Sequence, residues 1–308
     1  MNSRRIMISN RIFRLIHTNG TLWQATNKSL LAKLRKKTGY TFTNCKKALE
    51  LHENNLEKAE QWLNEQAQNL GWSKAAKLQG RPTAQGLIAV IVNKAHGALV
   101  EINCETDFVA RNKQFHKLTE TVALAVLKYT TSLTGNDLVN KALLDSEALN
   151  ALSAPDGKLL ADHSALTIGS VGENLAIKRA LCMSVQPGVT LAGYSHPASI
   201  HPASPALGRY GTLLALKGAE NNELLPNQLC QHIIGMNPLK IGDPQVDQPM
   251  ANIDDETTLI YQEYLLDPTL NVQQVLIDAQ AQVLDFARFE MGEIIDTSQS
   301  LDSVETCG

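Results

Sequence analysis

The chain has 308 residues, of which 44% are hydrophobic and 19% charged, a composition typical of a globular protein with two or three domains. Its longest apolar run, LIAVIV (87–92), is far shorter than the ~20 residues that a membrane-spanning helix needs, so we predict no such helix. The net charge of −3 is unevenly distributed, because residues 1–49 contain eleven Lys or Arg and no acid. A basic front end of this kind suits a targeting segment, a nucleic-acid ligand or an acidic protein partner.

Residues 1–24 have the composition of a mitochondrial transit peptide. Arg4, Arg5, Arg11 and Arg14 alternate with apolar side chains, and the segment contains no acid. It also lacks the continuous apolar core of a secretory signal. We therefore predict a transit peptide here and a location in the mitochondrial matrix; a disordered basic tail is the alternative.

Residues 25–72 are predicted to form a small domain of three helices. Leucine and alanine recur at helical spacing in three successive segments, which places one apolar face on each. So small a bundle lies near the lower limit of independent stability. The segments are KSLLAKLRKKTG (28–39), TNCKKALELH (43–52) and NNLEKAEQWLNEQAQNLG (54–71).

Local signals predict where these helices begin and end. Gly39 is expected to stop the first helix, and Thr43 or Asn44 to cap the second. Gly71 is expected to end the third helix. The basic stretch after it, residues 73–85, is predicted to be a helix or linker leading to the next domain.

The hydrophobic period changes at Gly86, which begins a predicted subdomain over residues 86–188. Two Val/Ile/Leu-rich runs separated by a short turn indicate a β-hairpin, and an amphipathic helix follows. Residues 130–165 are weakly patterned and are predicted to be a loop with helical pieces. The hairpin is GLIAVIV and GALVEINC, the helix is NKQFHKLTETVALAVLKY, and a later strand is NLAIKRALCMSV.

Residues 189–308 repeat the order of hairpin and then helix, which predicts a second subdomain of the same kind. The predicted fold class is therefore α+β: a three-helix bundle, then two subdomains with antiparallel sheets and packed helices. The hairpin is VTLAGYSH and YGTLLALKG, and the helix is NNELLPNQLCQHIIGM. The tail is predicted to add the helices TLIYQEYLL and NVQQVLIDA and the strand VLDFARFEMG.

The sequence lacks the common signatures of nucleotide binding and hydrolysis. It contains no G-x-x-x-x-G-K-[ST], G-x-G-x-x-G, H-E-x-x-H or G-x-S-x-G, so we expect no phosphate cradle of the chain's own and no cofactor. Its five cysteines form no C-x-x-C pair, which predicts buried thiols rather than a zinc ribbon or a disulfide framework. They are Cys45, Cys104, Cys182, Cys230 and Cys307.

Two residue sets suggest chemistry only weakly. Cys104 with His96 and Asp107 would make a cysteine nucleophile. Cys104, however, continues the alternation of a buried strand face, so a core thiol is the stronger reading. His196 and His201 have a spacing that a metal could use, but no third ligand is evident, whereas metal sites need three or four.

Phe108 stands in CETDFVARN, at the point where a strand gives way to a helix. In one interpretation it closes the end of the core, the usual position of a phenylalanine. In the other it is an exposed aromatic on a loop, flanked by Asp107, and serves as an anchor for a protein partner. The spacing alone leaves both interpretations open.

Four stretches together resemble translation elongation factor Ts, the guanine-nucleotide exchange factor of elongation factor Tu. The resemblance covers about Ser29 to Glu293, and the first two stretches are specific in combination. They are LLAKLRKKTGYTFTNCKKALE, CETDFVARN, GENLAIKRAL and FARFEMGE. The resemblance implies a factor without covalent chemistry, hence not an enzyme, that binds mitochondrial elongation factor Tu. It also implies that the three-helix domain over residues 25–72 is of the ubiquitin-associated type.

The resemblance also implies a mechanism for the loop that contains Thr106, Asp107, Phe108 and Val109. In the family, the Asp-Phe pair is inserted between two helices of the G domain of elongation factor Tu. This insertion disturbs the magnesium site and the phosphate loop, so that GDP leaves. The factor itself would then bind no nucleotide, no nucleic acid and no membrane.

Further contacts are implied at three positions. Arg35 matches an arginine of the family's first helix that touches the G domain. Phe42 and Thr43 stand where bacterial members carry two methionines, and Phe42 keeps an apolar surface there. His196 matches a histidine that faces a second domain of the partner.

The segment between Met236 and Asn271 is short, whereas bacterial members insert a long helical hairpin in the second subdomain. The shortening resembles the animal mitochondrial form and agrees with the transit-like leader. The alternatives to an exchange factor are a ubiquitin-binding adaptor, an RNA-binding protein that uses the basic helical face, and a hydrolase that uses Cys104.

Overall fold

The computed structural model divides into two compact units, Met1–Glu65 and Gln66–Gly308. The predicted transit peptide lies mostly outside the described residues. Within the described part, no helix is both long and apolar enough to cross a membrane. The described residues are 19–133, 135–198, 205–218 and 222–293.

The structure is built from nine helices and ten strands in its described part, an α+β fold as predicted. The helices are α1 (Asn19–Thr38), α2 (Phe42–Leu51), α3 (Leu56–Leu78), α4 (Asp107–Ala110), α5 (Lys113–Thr130), α6 (Ser146–Ala151), α7 (Leu160–Val171), α8 (Leu225–Met236) and α9 (Val272–Asp278). The strands are β1 (Gln85–Asn93), β2 (His96–Cys104), β3 (Val139–Asp145), β4 (Leu175–Val185), β5 (Val189–His196), β6 (Ala206–Gly208), β7 (Tyr210–Lys217), β8 (Glu263–Tyr264), β9 (Asp267–Asn271) and β10 (Gln282–Glu290).

The first unit contains α1, α2 and the first part of α3, so the three predicted helices are present. Leu34, Leu49 and Leu63 are almost fully buried in its core. The cap of α2 is Thr41, whose hydroxyl accepts from the Asn44 amide at 3.3 Å, so the expected cap at Thr43 or Asn44 is wrong. The helix begins earlier because the side-chain oxygen must precede the amide that it accepts from.

The third helix does not end at Gly71 but continues to Leu78, so it includes part of the predicted linker. A Cβ atom at residue 71 would lie 2.5 Å from the carbonyl oxygen of Ala165 on α7. The glycine therefore permits a close approach of α3 to α7 within the second unit, instead of stopping a helix. Lys74 strengthens this contact by donating to the Gly169 carbonyl at 2.8 Å.

The first sheet of the second unit has the strand order β3-β4-β2-β1-β6, and its pairings are antiparallel. The predicted β1–β2 hairpin and the strand β4 are confirmed. Residues 130–165 are not mainly loop, because they contain β3, α6 and the start of α7. The core on this sheet includes Phe115 and Val122 of α5 and Ile168 of α7.

The second sheet has the order β10-β7-β5 and carries α8. Its β5–β7 pairing confirms the second predicted hairpin, although β6, between them in the chain, pairs with β1 of the first sheet. Where the two sheets approach, a Cβ atom at Gly211 would lie 2.6 Å from the Ile88 side chain. A third cluster of buried residues that includes Ile88 and Phe289 lies at this junction.

The predicted helix TLIYQEYLL (258–266) is wrong: the segment forms a 3₁₀ turn, Leu259–Tyr261, and then β8. Buried hydrogen bonds explain the difference. The side-chain amide of Gln262 donates to the carbonyls of Met236 and Glu256 at 3.0 and 2.9 Å, and its oxygen bonds with His232 Nε2 at 3.0 Å. These contacts with distant residues override the local helical pattern.

A buried ionic network connects the two sheets. Glu101 is fully buried on β2 and accepts from Arg179 Nε at 2.6 Å, Lys178 Nζ at 3.2 Å and the Gly292 amide at 2.9 Å. The guanidinium of Arg179 lies 3.9 Å from the centre of the Phe289 ring on β10. The network thus joins β2 and β4 to the end of β10.

Candidate partner-binding site

The loop after β2 forms a single helical turn, α4, which begins next to Thr106. The hydroxyl of Thr106 accepts from the Val109 amide at 3.4 Å and caps the turn. Val109 and Ala110 are directed into the core of the first sheet. A short turn of this kind exposes the side chain at its second position, which is Phe108.

Phe108 is 80% exposed, the highest fraction among the large apolar side chains in the described part of the chain. The interpretation that it closes the core is therefore wrong. The core position at this end of the sheet is taken instead by Val109, which is 6% exposed. An exposed aromatic beside a buried aliphatic neighbour has the form of a binding anchor.

Asp107 lies beside Phe108 and is partly exposed. Its carboxylate forms an ion pair with Arg111 at 3.1 Å, one turn further along the chain. Because both side chains are substantially exposed, this pair contributes little to stability. Asp107 is therefore free to exchange Arg111 for another partner at little cost.

The structure adds Glu173 and Asn174, for which the sequence suggested no role, as contacts of this loop. Glu173 accepts from the amide of Thr106 at 3.1 Å, and Glu105 accepts from the amide of Asn174 at 2.7 Å. Glu173 and Asn174 belong to the stretch GENLAIKRAL, which carried part of the resemblance. A separation of 67 residues between Thr106 and Glu173 left no local signal of this contact.

Arg35 and Phe42 lie together on the three-helix unit. The guanidinium of Arg35 is 5.9 Å from the centre of the Phe42 ring, a cation–π distance. Phe42 is 53% exposed at the start of α2, and Thr43 next to it is also exposed. The predicted apolar surface at Phe42 is therefore present beside a positive charge.

His196 ends β5 and is exposed beside a cavity of about 460 Å³. Its ring centre lies 6.4 Å from that of Tyr210. The guanidinium of Arg288 lies 5.3 Å from the centre of the same Tyr210 ring. Aromatic residues and arginine are the usual composition of interface hot spots. The cavity is lined by Tyr194, His196, Tyr210, Ile234, Leu265 and Arg288, among others.

The structure bears on both weak chemical candidates, the Cys104 nucleophile and the His196–His201 metal site. Cys104 is fully buried, and burial raises the pKa of its thiol to about 12, so it is a core thiol. His96 lies at the opposite end of β2, about 26 Å away along an extended strand. Among the described residues no group of three or more His, Cys, Asp or Glu side chains is arranged to hold a metal, and His201 lies outside that part.

The remaining cysteines of the described part are also buried, as predicted: Cys45, Cys182 and Cys230. Cys307 lies outside the described residues. Burial raises the pKa of each of these three thiols. Thiolate chemistry at neutral pH is therefore disfavoured at all of them.

The structure is an α+β fold in which the turn after β2 presents an exposed phenylalanine, Phe108. In a comparison with known families, residues 13–73 match the family described as "Elongation factor Ts, mitochondrial, N-terminal", and residues 105–253 match "Elongation factor TS". The chain belongs to the mitochondrial elongation factor Ts family.

Curated relatives support this membership over nearly the whole chain. The chain is 50% identical over 296 residues to "Elongation factor Ts, mitochondrial" of Aedes aegypti, which covers 94% of this chain and 96% of that protein. It is 44% identical over 313 residues to the Drosophila melanogaster protein of the same name, which covers 97% of each. It is 43% identical over 277 residues to the Rattus norvegicus protein, covering 87% of this chain and 85% of that protein.

Proposed function

We propose that this chain is a guanine-nucleotide exchange factor for mitochondrial elongation factor Tu and acts in translation elongation in the mitochondrial matrix. The observation that carries the proposal is the 80% exposed Phe108 on a turn whose Val109 and Ala110 side chains are buried. The shared name of the relatives, elongation factor Ts, agrees with it.

In the proposed mechanism, Asp107 and Phe108 are inserted between two helices of the partner's G domain. Thr106 and Val109 do not reach outward; they hold the turn that carries the wedge. In G domains, Mg²⁺ and the phosphate-loop amides hold the β-phosphate of GDP. A displacement of these preorganised groups by ~1 Å costs ~3 kcal/mol of contact, which speeds the release of GDP.

The exchange is a coupled binding equilibrium and needs no covalent step. The factor lowers the partner's affinity for GDP, and GDP lowers the partner's affinity for the factor by the same amount. GTP then rebinds and displaces the factor. This chain needs no nucleotide site of its own, which is consistent with the missing phosphate-binding motifs.

Two further surfaces add affinity in this proposal. Arg35 and Phe42 contact the G domain from the three-helix unit, and Thr43 lies beside them. His196, with the cavity next to it, contacts a second domain of the partner. Neither surface reaches the nucleotide site, so both are expected to affect the affinity of the complex more than the rate of GDP release at saturation.

Release of a fluorescent GDP analogue from mitochondrial elongation factor Tu tests the proposal. Phe108→Ala removes the anchor, and we expect the stimulation of release to fall about 30-fold or more, as for a hot-spot residue worth ~2 kcal/mol. Val246→Ala is the matched control, because Val246 is 77% exposed but lies in none of the proposed contacts.

The outcomes separate the mechanism from the function. If wild-type protein and Phe108→Ala accelerate release equally, the wedge is wrong. If the wild-type protein does not accelerate release at all, the proposed function itself fails.

A further inference from the structure

The turn that presents Phe108 is held from outside by the stretch G-E-N, residues 172–174. Gly172 ends α7 with φ +82°, a left-handed conformation that suits glycine, and the chain then enters β4. This tight exit places Glu173 against the loop that follows β2. Glu173 is half-buried there and adjoins the first residue of the loop turn.

The carboxyl group of Glu173 takes both donors of Thr106. Oε2 accepts from the amide at 3.1 Å and from the hydroxyl at 3.0 Å, and Oε1 also accepts from the hydroxyl at 2.9 Å. Because the Thr106 hydroxyl points its hydrogen at Glu173, its lone pair remains available to the Val109 amide. Glu173 thus orients the cap of the turn that carries Phe108.

A second contact holds the start of the loop. Glu105 accepts from the Asn174 amide at 2.7 Å and lies 3.6 Å from the guanidinium of Arg81. The Asn174 side chain in turn donates to the Arg81 carbonyl at 2.9 Å. Two adjacent residues, 173 and 174, therefore fix two adjacent residues, 105 and 106.

The inner side of the loop is fixed as well. The thiol of Cys104 donates to the Thr106 carbonyl at 3.2 Å, and His116 Nε2 donates to the Ala110 carbonyl at 2.8 Å. A turn of four residues has too few hydrogen bonds to persist alone. Its conformation therefore depends on these contacts with the rest of the subdomain.

We infer that Glu173 is a positioning residue for nucleotide exchange: it holds the Thr106 cap so that Phe108 is presented in its inserting conformation. The inference rests on the proposed function. A preorganised anchor avoids the entropy loss of ordering a flexible loop at the moment of insertion. Glu173 touches neither the partner nor the nucleotide in this scheme and acts only through Thr106.

The test compares three substitutions at saturating factor in the GDP-release assay. For Glu173→Ala we expect the maximal release rate to fall about tenfold, with the half-saturating concentration changed less than about threefold. Glu173→Gln can keep an oxygen at the position of Oε2, the one carboxylate oxygen that accepts from both the amide and the hydroxyl of Thr106. Its maximal release rate should therefore stay within about threefold of wild type. Glu120→Ala, an exposed carboxylate on α5, is the control.

Fluorine NMR provides a readout that a merely structural role would not move. With 4-fluorophenylalanine incorporated, the Phe108 signal is assigned by its loss in Phe108→Leu. In Glu173→Ala we expect this signal to shift towards the random-coil position, while the signal of the fully buried Phe115 stays in place and reports an intact core. Thr106→Val, which removes the bridging hydroxyl, should move the same signal, and Thr106→Ser should not.

The outcomes are distinguishable. A Glu173→Ala protein that releases GDP at the wild-type maximal rate, or whose Phe108 signal is unchanged, overturns the positioning role and leaves the proposed function intact. A wild-type protein without exchange activity removes the proposed function instead. If Glu173→Ala does not fold, Thr106→Val against Thr106→Ser carries the same test, and equal maximal rates for these two overturn the inference.

Discussion

Acid is expected to destabilise the second sheet through His232. The imidazole is fully buried; Nε2 bonds with the Gln262 oxygen at 3.0 Å, and Nδ1 accepts from the Leu265 amide at 3.2 Å. Burial lowers the pKa of His232 from 6.5 to about 4, although the bond to Gln262 opposes this shift. The folded protein therefore holds the neutral ring. A proton added at Nδ1 would face the Leu265 amide, which is itself a donor.

The sign and size follow from proton linkage. Well above pH 6.5 the ring is neutral in both states and His232 adds no pH dependence. Between pH 6.5 and about 4 only the unfolded chain takes up the proton, so the free energy of unfolding falls as pH falls. The shift of about 2.5 pH units corresponds to at most ~3 kcal/mol, with a slope of up to ~1.4 kcal/mol per pH unit.

Urea unfolding at pH 7.5 and pH 5.0 measures this effect. We expect His232→Asn to be less stable than wild type at pH 7.5, because one of the buried bonds is lost, and the difference to shrink by ~2 kcal/mol at pH 5.0. His163→Asn is the control: His163 bonds with the exposed Asp156 at 3.0 Å and is not fully buried. Equal pH dependence of wild type and His232→Asn would refute the reasoning.

Two further predictions concern the junction of the sheets. Glu101→Ala leaves Arg179 buried without its carboxylate partner and should lower the free energy of unfolding by ~3 kcal/mol, measured by urea titration. Lys141→Met is the comparison: it removes the partly exposed ion pair with Asp285 at 2.7 Å and should cost under ~1 kcal/mol. Gly211→Ala places a Cβ atom 2.6 Å from the Ile88 side chain and should cost ~1–3 kcal/mol; an unchanged unfolding midpoint would show that the sheets separate freely at this position.

Elements whose pattern is local were predictable from the sequence. The β1–β2 hairpin and the helix α5 combine the appropriate hydrophobic period with turn residues, so neighbouring residues suffice to define them. The strand β3 lacks such a pattern, because Leu144 is its only buried residue. Its strand conformation comes from pairing with β4, more than 30 residues later in the chain.

The segment 258–266 shows the converse case, in which a local pattern indicated the wrong structure. Its apolar residues fit a helix, but Gln262 is almost fully buried and bonds with His232, Met236 and Glu256. A buried amide with several partners outweighs the small differences in helix propensity. No inspection of the segment by itself identifies those partners.

The unusual position of Phe108 was visible in the sequence, whereas the contacts that hold its loop were not. An aromatic that follows two acids at the end of a strand is unusual enough to raise the question of whether Phe108 is exposed. The opposite answer, burial, remained open because exposure depends on which neighbour fills the core. Val109 fills it, and that choice is made by the turn which Thr106 caps.

The family resemblance rested on stretches that are distant in the sequence, among them CETDFVARN and GENLAIKRAL. The hydrogen bonds of Glu173 and Asn174 to the loop that begins at Glu105 connect these two stretches in the structure. In the proposed mechanism, Phe108 can act as a wedge only if its backbone keeps its conformation during insertion. The contacts that hold this backbone must come from another element, because a helix of four residues makes too few hydrogen bonds of its own. We therefore expect a substitution in either stretch to disturb the other and, under the proposed function, to change the rate at which elongation factor Tu releases GDP.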